Sequence, residues 1–417
     1  MNPALRTLAV SLSLLLGIGC GSPPPVFAQN SPDYGERLFG DLGRDSLYQR
    51  GIDLEIVYKL DLVSQLTQGN NQGHIYALDN LDIKFNLDGG RLFGSDATRG
   101  LLQLLGNHGG KPALEQNRLP LGLDNIEVPE GANTFKVYQA WLEHDLNDAL
   151  SVKVGLWDLN SEFYVTDSSA LFVHPTYGIG AELAGTGRNG PSIFPTTSLA
   201  LRASWQPAPQ WLLQAAVLDA VPGDPANPKG THIQFNKGDG TLQILEADWF
   251  PGSLEDPDGK LGLGLWRYSQ RFDDVLDVDA QGDPVQQRSQ GYYLIGEYRL
   301  ARGTHGDTRG FLRWGRNDGN TIQFVSAWSA GLVWSGLGPG RPEDQFGITL
   351  SRENNSRKWR TAENNPVHHE QGLEVAYRGA FNSWLTLQPF AQYLMNHGND
   401  PDQNSSWWWG LRLEMNL

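Results

Sequence analysis

Ile52-Asp53-Leu54-Glu55-Ile56-Val57-Tyr58-Lys59-Leu60-Asp61-Leu62 sets apolar side chains at the even positions against Asp53, Glu55, Lys59 and Asp61 at odd ones. Successive side chains of a β-strand point to opposite faces, so this stretch reads as a strand with one apolar and one polar face. The same alternation returns at Leu81, Ile83, Phe85 and Leu87 against Asp82, Lys84, Asn86 and Asp88. It returns again at Leu199, Leu201, Ala203 and Trp205 around Arg202. The chain closes on it, with Trp409, Leu411, Leu413, Met415 and Leu417 against Arg412, Glu414 and Asn416.

Working outward, about sixteen such segments start near 52, 74, 101, 134, 151, 197, 211, 241, 260, 290, 309, 323, 345, 371, 383 and 406, each boundary good to a few residues. The connections alternate, about 19 residues on one side and about 8 on the other, the layout of an outer-membrane barrel with loops at one rim and turns at the other. The expected fold is therefore all-β: a transmembrane antiparallel β-barrel of about sixteen strands. A short N-terminal helical segment around 33–50 precedes the first strand. Soluble sandwiches would also alternate, and a propeller would repeat a blade motif that the chain lacks. Trp141, Trp157, Trp205, Trp211, Trp249, Trp266, Trp314, Trp328, Trp334, Trp384 and Trp407-Trp408-Trp409 fall mostly near segment ends, where interfacial girdles sit. Both termini are expected in the periplasm.

Composition removes several function classes. Of 417 residues, Lys and Arg number 32 against 47 Asp and Glu, a net charge of −15 without a basic run, so nucleic acid is not a partner. One cysteine, Cys20, rules out a disulfide framework and a Cys-ligated zinc site. Residues 1–28 read as a signal peptide, with Arg6, the apolar run Leu8 to Ile18 and the Val26-Phe27-Ala28 cleavage site. Cleavage before Cys20, as in a lipoprotein, is the alternative. The expected organisation is a signal peptide at 1–28, a periplasmic segment at 29–50 and a barrel at 51–417.

Two longer stretches carry a family resemblance. One runs Gly155-Leu156-Trp157-Asp158-Leu159-Asn160-Ser161-Glu162-Phe163, then Ala170 to Gly178, then Asn189-Gly190-Pro191-Ser192-Ile193-Phe194-Pro195 to Ala200-Leu201-Arg202. The other runs Leu385 to Tyr393, then His397-Gly398, then Gly410-Leu411-Arg412-Leu413. Both resemble the carbohydrate-selective porins of Gram-negative outer membranes (the OprB type), as does Gln49-Arg50-Gly51-Ile52-Asp53-Leu54. The resemblance implies a sixteen-stranded barrel passing mono- and oligosaccharides into the periplasm by diffusion. It also implies carbohydrate substrates, outer-membrane lipid and lipopolysaccharide, and the barrel assembly machinery acting on the C-terminal strand as partners. A general or ion-selective porin is the alternative, followed by a plugged structural or adhesive barrel and an outer-membrane hydrolase.

Competing chemistry is weak. Asp277-Val278-Asp279-Ala280-Gln281-Gly282 starts like a calcium loop, but Arg288 stands where the closing Glu belongs. Gly178-Ile179-Gly180 meets Leu183 where a dinucleotide fingerprint needs its third glycine, and His368-His369 would point to opposite strand faces. No nucleophile, base and orienter are singled out by spacing, so no catalytic residue, metal or cofactor is expected.

A channel for neutral sugars should offer hydrogen-bond partners and flat apolar faces, each binding weakly enough to be left as readily as entered. Positions out of phase with the apolar face point into the lumen, which nominates Lys84, Lys153, Arg202, Glu246, Glu297, Arg299, Arg313, Glu374, Arg412 and Glu414. The longest connection, 158–196, carries Phe163, Tyr164, Leu171, Phe172, Val173, Tyr177, Ile179, Leu183, Ile193 and Phe194. Exposing so much apolar surface is unfavourable, so the loop is expected to fold inward, with Asp158, Asn160, Glu162, Asp167 and His174 narrowing the lumen opposite Lys153 and Arg202. The candidate pore-lining set is Lys153, Trp157, Asp158, Asn160, Glu162, Phe163, Phe172, His174, Arg202 and Arg313. In the last strand, Trp409, Leu411, Leu413, Met415 and Leu417 form the expected lipid-facing stripe, with Met415 near mid-membrane.

Overall fold

Sixteen strands pair antiparallel and close on themselves. In chain order the first are β1 Ile52–Gln65, β2 Ile75–Asp88, β3 Thr98–Gly109, β4 Thr134–Asn147, β5 Leu150–Trp157 and β6 Ser198–Ala208. Next come β7 Trp211–Asp219, β8 Thr241–Trp249, β9 Gly259–Tyr268, β10 Phe272–Val278, β11 Pro284–Gln287 and β12 Gln290–Arg302. The last are β13 Asp307–Asn317, β14 Phe324–Ser335, β15 Gln345–Asn355, β16 His369–Ala380, β17 Leu385–Met395 and β18 Ser405–Asn416. β10 and β11 form a separate hairpin, so β9 pairs β12 in the barrel. Closure runs from Val57 opposite Asn416 to Gln65 opposite Trp408, leaving no strand edge unpaired in lipid. This computed structural model describes residues 32–66, 73–110, 112, 121–128, 132–254, 257–304, 306–401 and 405–417. The expected signal peptide, with Cys20, lies outside the described residues.

The wall reverses the order of a water-soluble domain. Outward positions are apolar and exposed, as at Leu263 (45%) and Leu312 (59%), whereas Asp61, Glu143, Lys153, Arg202, Glu374 and Arg412 point inward and are buried. Only a surrounding apolar solvent makes that pattern stable, which selects the membrane over a soluble sandwich. Outward aromatics form two belts. Trp205, Trp211, Trp249, Tyr298, Trp334 and Phe346 lie toward the short-turn rim, and Tyr292, Trp314, Trp328, Tyr393 and Trp407 toward the long-loop rim. Four tryptophans depart from the girdle expectation: Trp141, Trp157, Trp266 and Trp408 point inward and are buried. Strand parity decides this, since each shares its phase with the polar face.

The strand starts agree with the sequence reading to within a few residues. The β10–β11 hairpin was not expected; it rises from the 270–289 connection and is held by Lys358, which pairs with Asp274 and with Asp277 at 2.7 Å. Asp277 of the calcium-like stretch therefore serves an ion pair. At the short-turn rim, Tyr34 of the N-terminal segment donates to Asp53 Oδ1 at 2.7 Å, and Arg44 Nη2 donates to the Leu417 carbonyl at 2.6 Å.

Register also corrects the depth of Met415, which stands opposite Leu385, the first residue of β17, at the short-turn rim. Leu411, opposite Pro389 and Leu62, takes the deeper place on the same stripe. Leu411→Arg is expected to destabilise the barrel by about 2–4 kcal/mol, and Met415→Arg by only about 0–1 kcal/mol. Urea-dependent folding into bilayers measures both; equal costs would contradict the depth assignment.

Candidate functional site

Neighbouring strands β4, β5 and β6 set Glu143, Lys153 and Arg202 side by side on the inner face, because Glu143 pairs with Lys153 and Lys153 with Arg202. Glu162, arriving from the loop after β5, inserts its carboxylate between the two cations. Arg202 Nε donates to Glu162 Oε2 at 2.7 Å and Nη2 to Oε1 at 3.0 Å, while Lys153 donates to Oε1. Glu143 accepts from Arg202 Nη2 at 2.9 Å, from Arg99 Nη2 at 2.8 Å and from the Ser151 hydroxyl at 2.7 Å. The Lys153 ammonium also lies 4.0 Å from the centre of the Trp141 ring. Burial alone would raise the Glu162 pKa, but Lys153 and Arg202 outweigh it and hold the carboxyl below its ordinary value.

Beyond Glu162 the loop crosses to the opposite wall and is held through its backbone. Tyr164 N–H donates to Glu246 at 2.8 Å, Asp167 and Ser168 N–H to Glu297 at 3.1 and 2.9 Å, and Val173 and His174 N–H to Glu374 at 2.7 and 3.0 Å. Thr176 Oγ1 donates to Glu353 at 2.6 Å. Arg313 answers with donations to the carbonyls of Thr176 (3.3 Å), Tyr164 (3.1 Å), Gly178 (2.6 Å) and Tyr177. A charged side chain bonding a backbone group is among the stronger hydrogen bonds available, and this site uses it repeatedly. Apolar packing completes the seat: Phe172 lies 5.9 Å from Phe311 and 5.2 Å from Tyr177, ring centre to centre. The wall is hollowed to receive it. A Cβ on inward-facing Gly347 would meet Leu171 and Phe172 at 2.7 Å, and one on Gly315 would meet Glu182 Oε1 at 1.8 Å.

This geometry redistributes the sequence-nominated residues. Lys153, Glu162 and Arg202 come together as one ion-pair cluster, with Asp158 and Asn160 half-buried on the same turn. Trp157 (1% exposed), Phe163 (0%), Phe172 (2%), His174 (4%) and Arg313 (2%) are instead buried beneath or behind the loop. Glu246, Glu297 and Glu374 do face inward, and the loop backbone occupies them.

A second loop segment, absent from the candidate set, enters the lumen. Asn125 N–H donates to the Val173 carbonyl at 2.9 Å, Gln392 Nε2 to the Leu123 carbonyl at 3.0 Å, and Arg412 Nη2 to Asp124 Oδ1 and Asn125 Oδ1 at 3.1 and 2.6 Å. Leu123 and Ile126 are buried against Leu171, Phe172 and Trp408. The signal was present: Leu121, Leu123, Ile126 and Val128 are apolar in a connection that would otherwise be solvated. On the remaining wall, inward Glu55, Lys59, Asp82 and Lys84 of β1 and β2 are half-buried rather than buried.

Loop docking carries a pH dependence. Burial raises the Glu182 pKa to about 7, which the Tyr164 hydroxyl and Arg313 offset only in part. A raised carboxyl pKa favours docking fully below the undocked value near 4.5, and this contribution is lost as pH rises through about 7. Glu162 acts in the opposite sense, but its window lies below the ordinary carboxylate pKa and does not overlap. Single-channel conductance is therefore expected to be lower at pH 5 than at pH 8, and Glu182→Gln to lessen the difference, the remainder coming from Asp158 and Asp167, which burial raises to about 6. An unchanged slope in that variant would contradict the assignment.

The profile of the family described as "Carbohydrate-selective porin, OprB family" matches residues 74–417. Porin B of Pseudomonas aeruginosa is 22% identical over 460 aligned positions, covering 99% of this chain and 98% of its own. The high-pH structure of Pseudomonas putida OprB superposes with a TM-score of 0.77 at 19% identity, covering 94% of this chain and 100% of that one. The low-pH structure of the same protein gives 0.58 at 15% identity over 93% of this chain and 100% of that one. A closed sixteen-stranded barrel with an inverted wall, and a family match over most of its length, place the chain in the carbohydrate-selective porin family of the OprB type.

Proposed function

We propose that this outer-membrane carbohydrate porin passes mono- and short oligosaccharides through the gap between the β1–β2 wall and the Asp158–Glu162 edge of the inward loop. The observation that carries this reading is the division of the inward charges. Glu246, Glu297 and Glu374 are taken up by the loop backbone and Glu353 by the Thr176 hydroxyl, whereas Glu55, Lys59, Asp82 and Lys84 keep contact with water. Glu55 and Lys84 are cross-strand partners, so opposite signs alternate along the gap and give no single-sign field. Such a lining disfavours strong ion selection and leaves hydroxyls with donors and acceptors at close range. The candidates Lys153, Glu162 and Arg202 then act as the clamp that fixes the gap, and Asp158 and Asn160 as its polar edge. Residues 1–28 serve as the export signal, 29–50 as a periplasmic segment and 51–417 as the barrel. The outward stripe of β18 is what the assembly machinery reads, and lipopolysaccharide and lipid cover the apolar belt.

Glu55→Ala combined with Lys84→Ala tests the route. Losing one or two hydrogen bonds of about 0.5–1.5 kcal/mol should weaken sugar-dependent current block about 3- to 10-fold. Loop docking, read by protease resistance, should be unchanged. Unaltered block in a folded double variant would move the route elsewhere.

A further inference from the structure

The outer surface of the wall carries a groove of about 780 Å³ across β6, β7, β8, β9, β12 and β13. Ala203 and Ala215 make the depression, and Leu201, Val217, Leu245 and Leu265 flank it. Along its upper edge the outward positions turn polar. Gln243, Arg267 and Gln290 stand in line on β8, β9 and β12, and Arg316 follows on β13 opposite Tyr292. All four are exposed, and neither Arg267 nor Arg316 pairs with a carboxylate among the described residues. Asp318 also lines the edge, but its Oδ1 accepts from the Asn320 amide at 3.0 Å. The height is set independently by the aromatic belt, since Tyr292 and Trp314 pack 5.4 Å apart and Arg316 lies one outward position above Trp314. Belt aromatics mark headgroup level, so the two guanidiniums stand where lipid phosphates lie.

We infer that this groove holds one phosphorylated, multiply acylated lipid of the outer leaflet. Its acyl chains lie over Ala203 and Ala215, and its phosphate sits between Arg267 and Arg316. Two strand spacings and a two-residue offset along the strands, about 12 Å in all, separate the two arginine positions, within reach of two extended side chains converging on one phosphate. Guanidinium forks match phosphate oxygens in pairs, and an unpaired arginine facing lipid is otherwise unfavourable. The proposal gives a site to the lipid partner named above. Its failure would leave the channel reading intact, because the groove lies on the opposite face of the wall from the lumen.

Native mass spectrometry of the folded barrel in detergent micelles tests it, with diphosphorylated lipid A and its dephosphorylated form as probes. The phosphorylated probe should be retained as a one-to-one adduct. Retention should fall roughly tenfold or more for the dephosphorylated probe, and equally for Arg267→Gln combined with Arg316→Gln. Arg357→Gln, which removes an exposed arginine elsewhere, should leave retention unchanged. Equal retention of the two probes by the parent would overturn the inference without relying on any variant. So would full retention by the double variant, loss in the Arg357 control, or an oligomer that the double variant dissociates, which would assign the face to a second copy of the chain.

Discussion

Deleting residues 165–190 is expected to raise single-channel conductance several-fold and to remove most sugar-dependent block. The deletion withdraws the backbone donors of Asp167, Ser168, Val173 and His174, together with Thr176, from Glu297, Glu374 and Glu353. Those carboxylates would return to water, which removes the energetic objection to leaving them unpaired. The barrel ladder itself loses nothing, because the deleted stretch contributes no strand. The variant should therefore still migrate as a folded, heat-shifted band. Unchanged conductance and unchanged block in such a band would take this loop out of the mechanism and leave 121–128 as the constriction.

Arg313→Ala should produce the largest effect of any single substitution in the lumen. The side chain holds four loop carbonyls at once, and it is buried. Leaving buried carbonyls without their donor costs about 1–3 kcal/mol for each that water does not reach, enough to undock the loop for a large fraction of the time. Bilayer recordings should show noisy transitions to a higher-conducting level, with cleavage by added protease inside 165–190. Arg313→Lys should rescue only in part, because an ammonium cannot reproduce the planar fork whose Nη1 serves Thr176 and Tyr177 while its Nη2 serves Tyr164 and Gly178. Arg202→Ala should be milder, since Lys153 still holds Glu162. Steady current and full protease resistance in Arg313→Ala would contradict the anchoring role.

The legibility of these features in the sequence follows from their physics. Strand alternation is local, so Ile52 to Leu62 declared its own faces, and parity carried the inward positions of Lys153, Arg202 and Arg313. The inward fold of 158–196 followed from apolar mass that solvent would not accept. What Arg313, Glu297 and Glu374 do with their charges was not legible, because their partners are backbone groups, which have no signature in residue type. The burial of Phe172 and His174 depends on Gly347 and the Phe311 ring across the lumen, contacts that no spacing along the chain encodes. Alternation fixes the face Met415 presents and says nothing of its height, which register with Leu385 sets at the rim.

The central claim, that a loop-narrowed lumen of mixed charge passes neutral sugars, is tested most directly by liposome swelling. Proteoliposomes holding the parent chain are exposed to sugars of graded size and to charged amino acids of matching size. The expected result is a swelling rate that falls with sugar size and exceeds the amino-acid rate at every size. Equal rates for sugars and amino acids would make the pore a general one, and no swelling with any solute would make the barrel a plugged one; either contradicts the account.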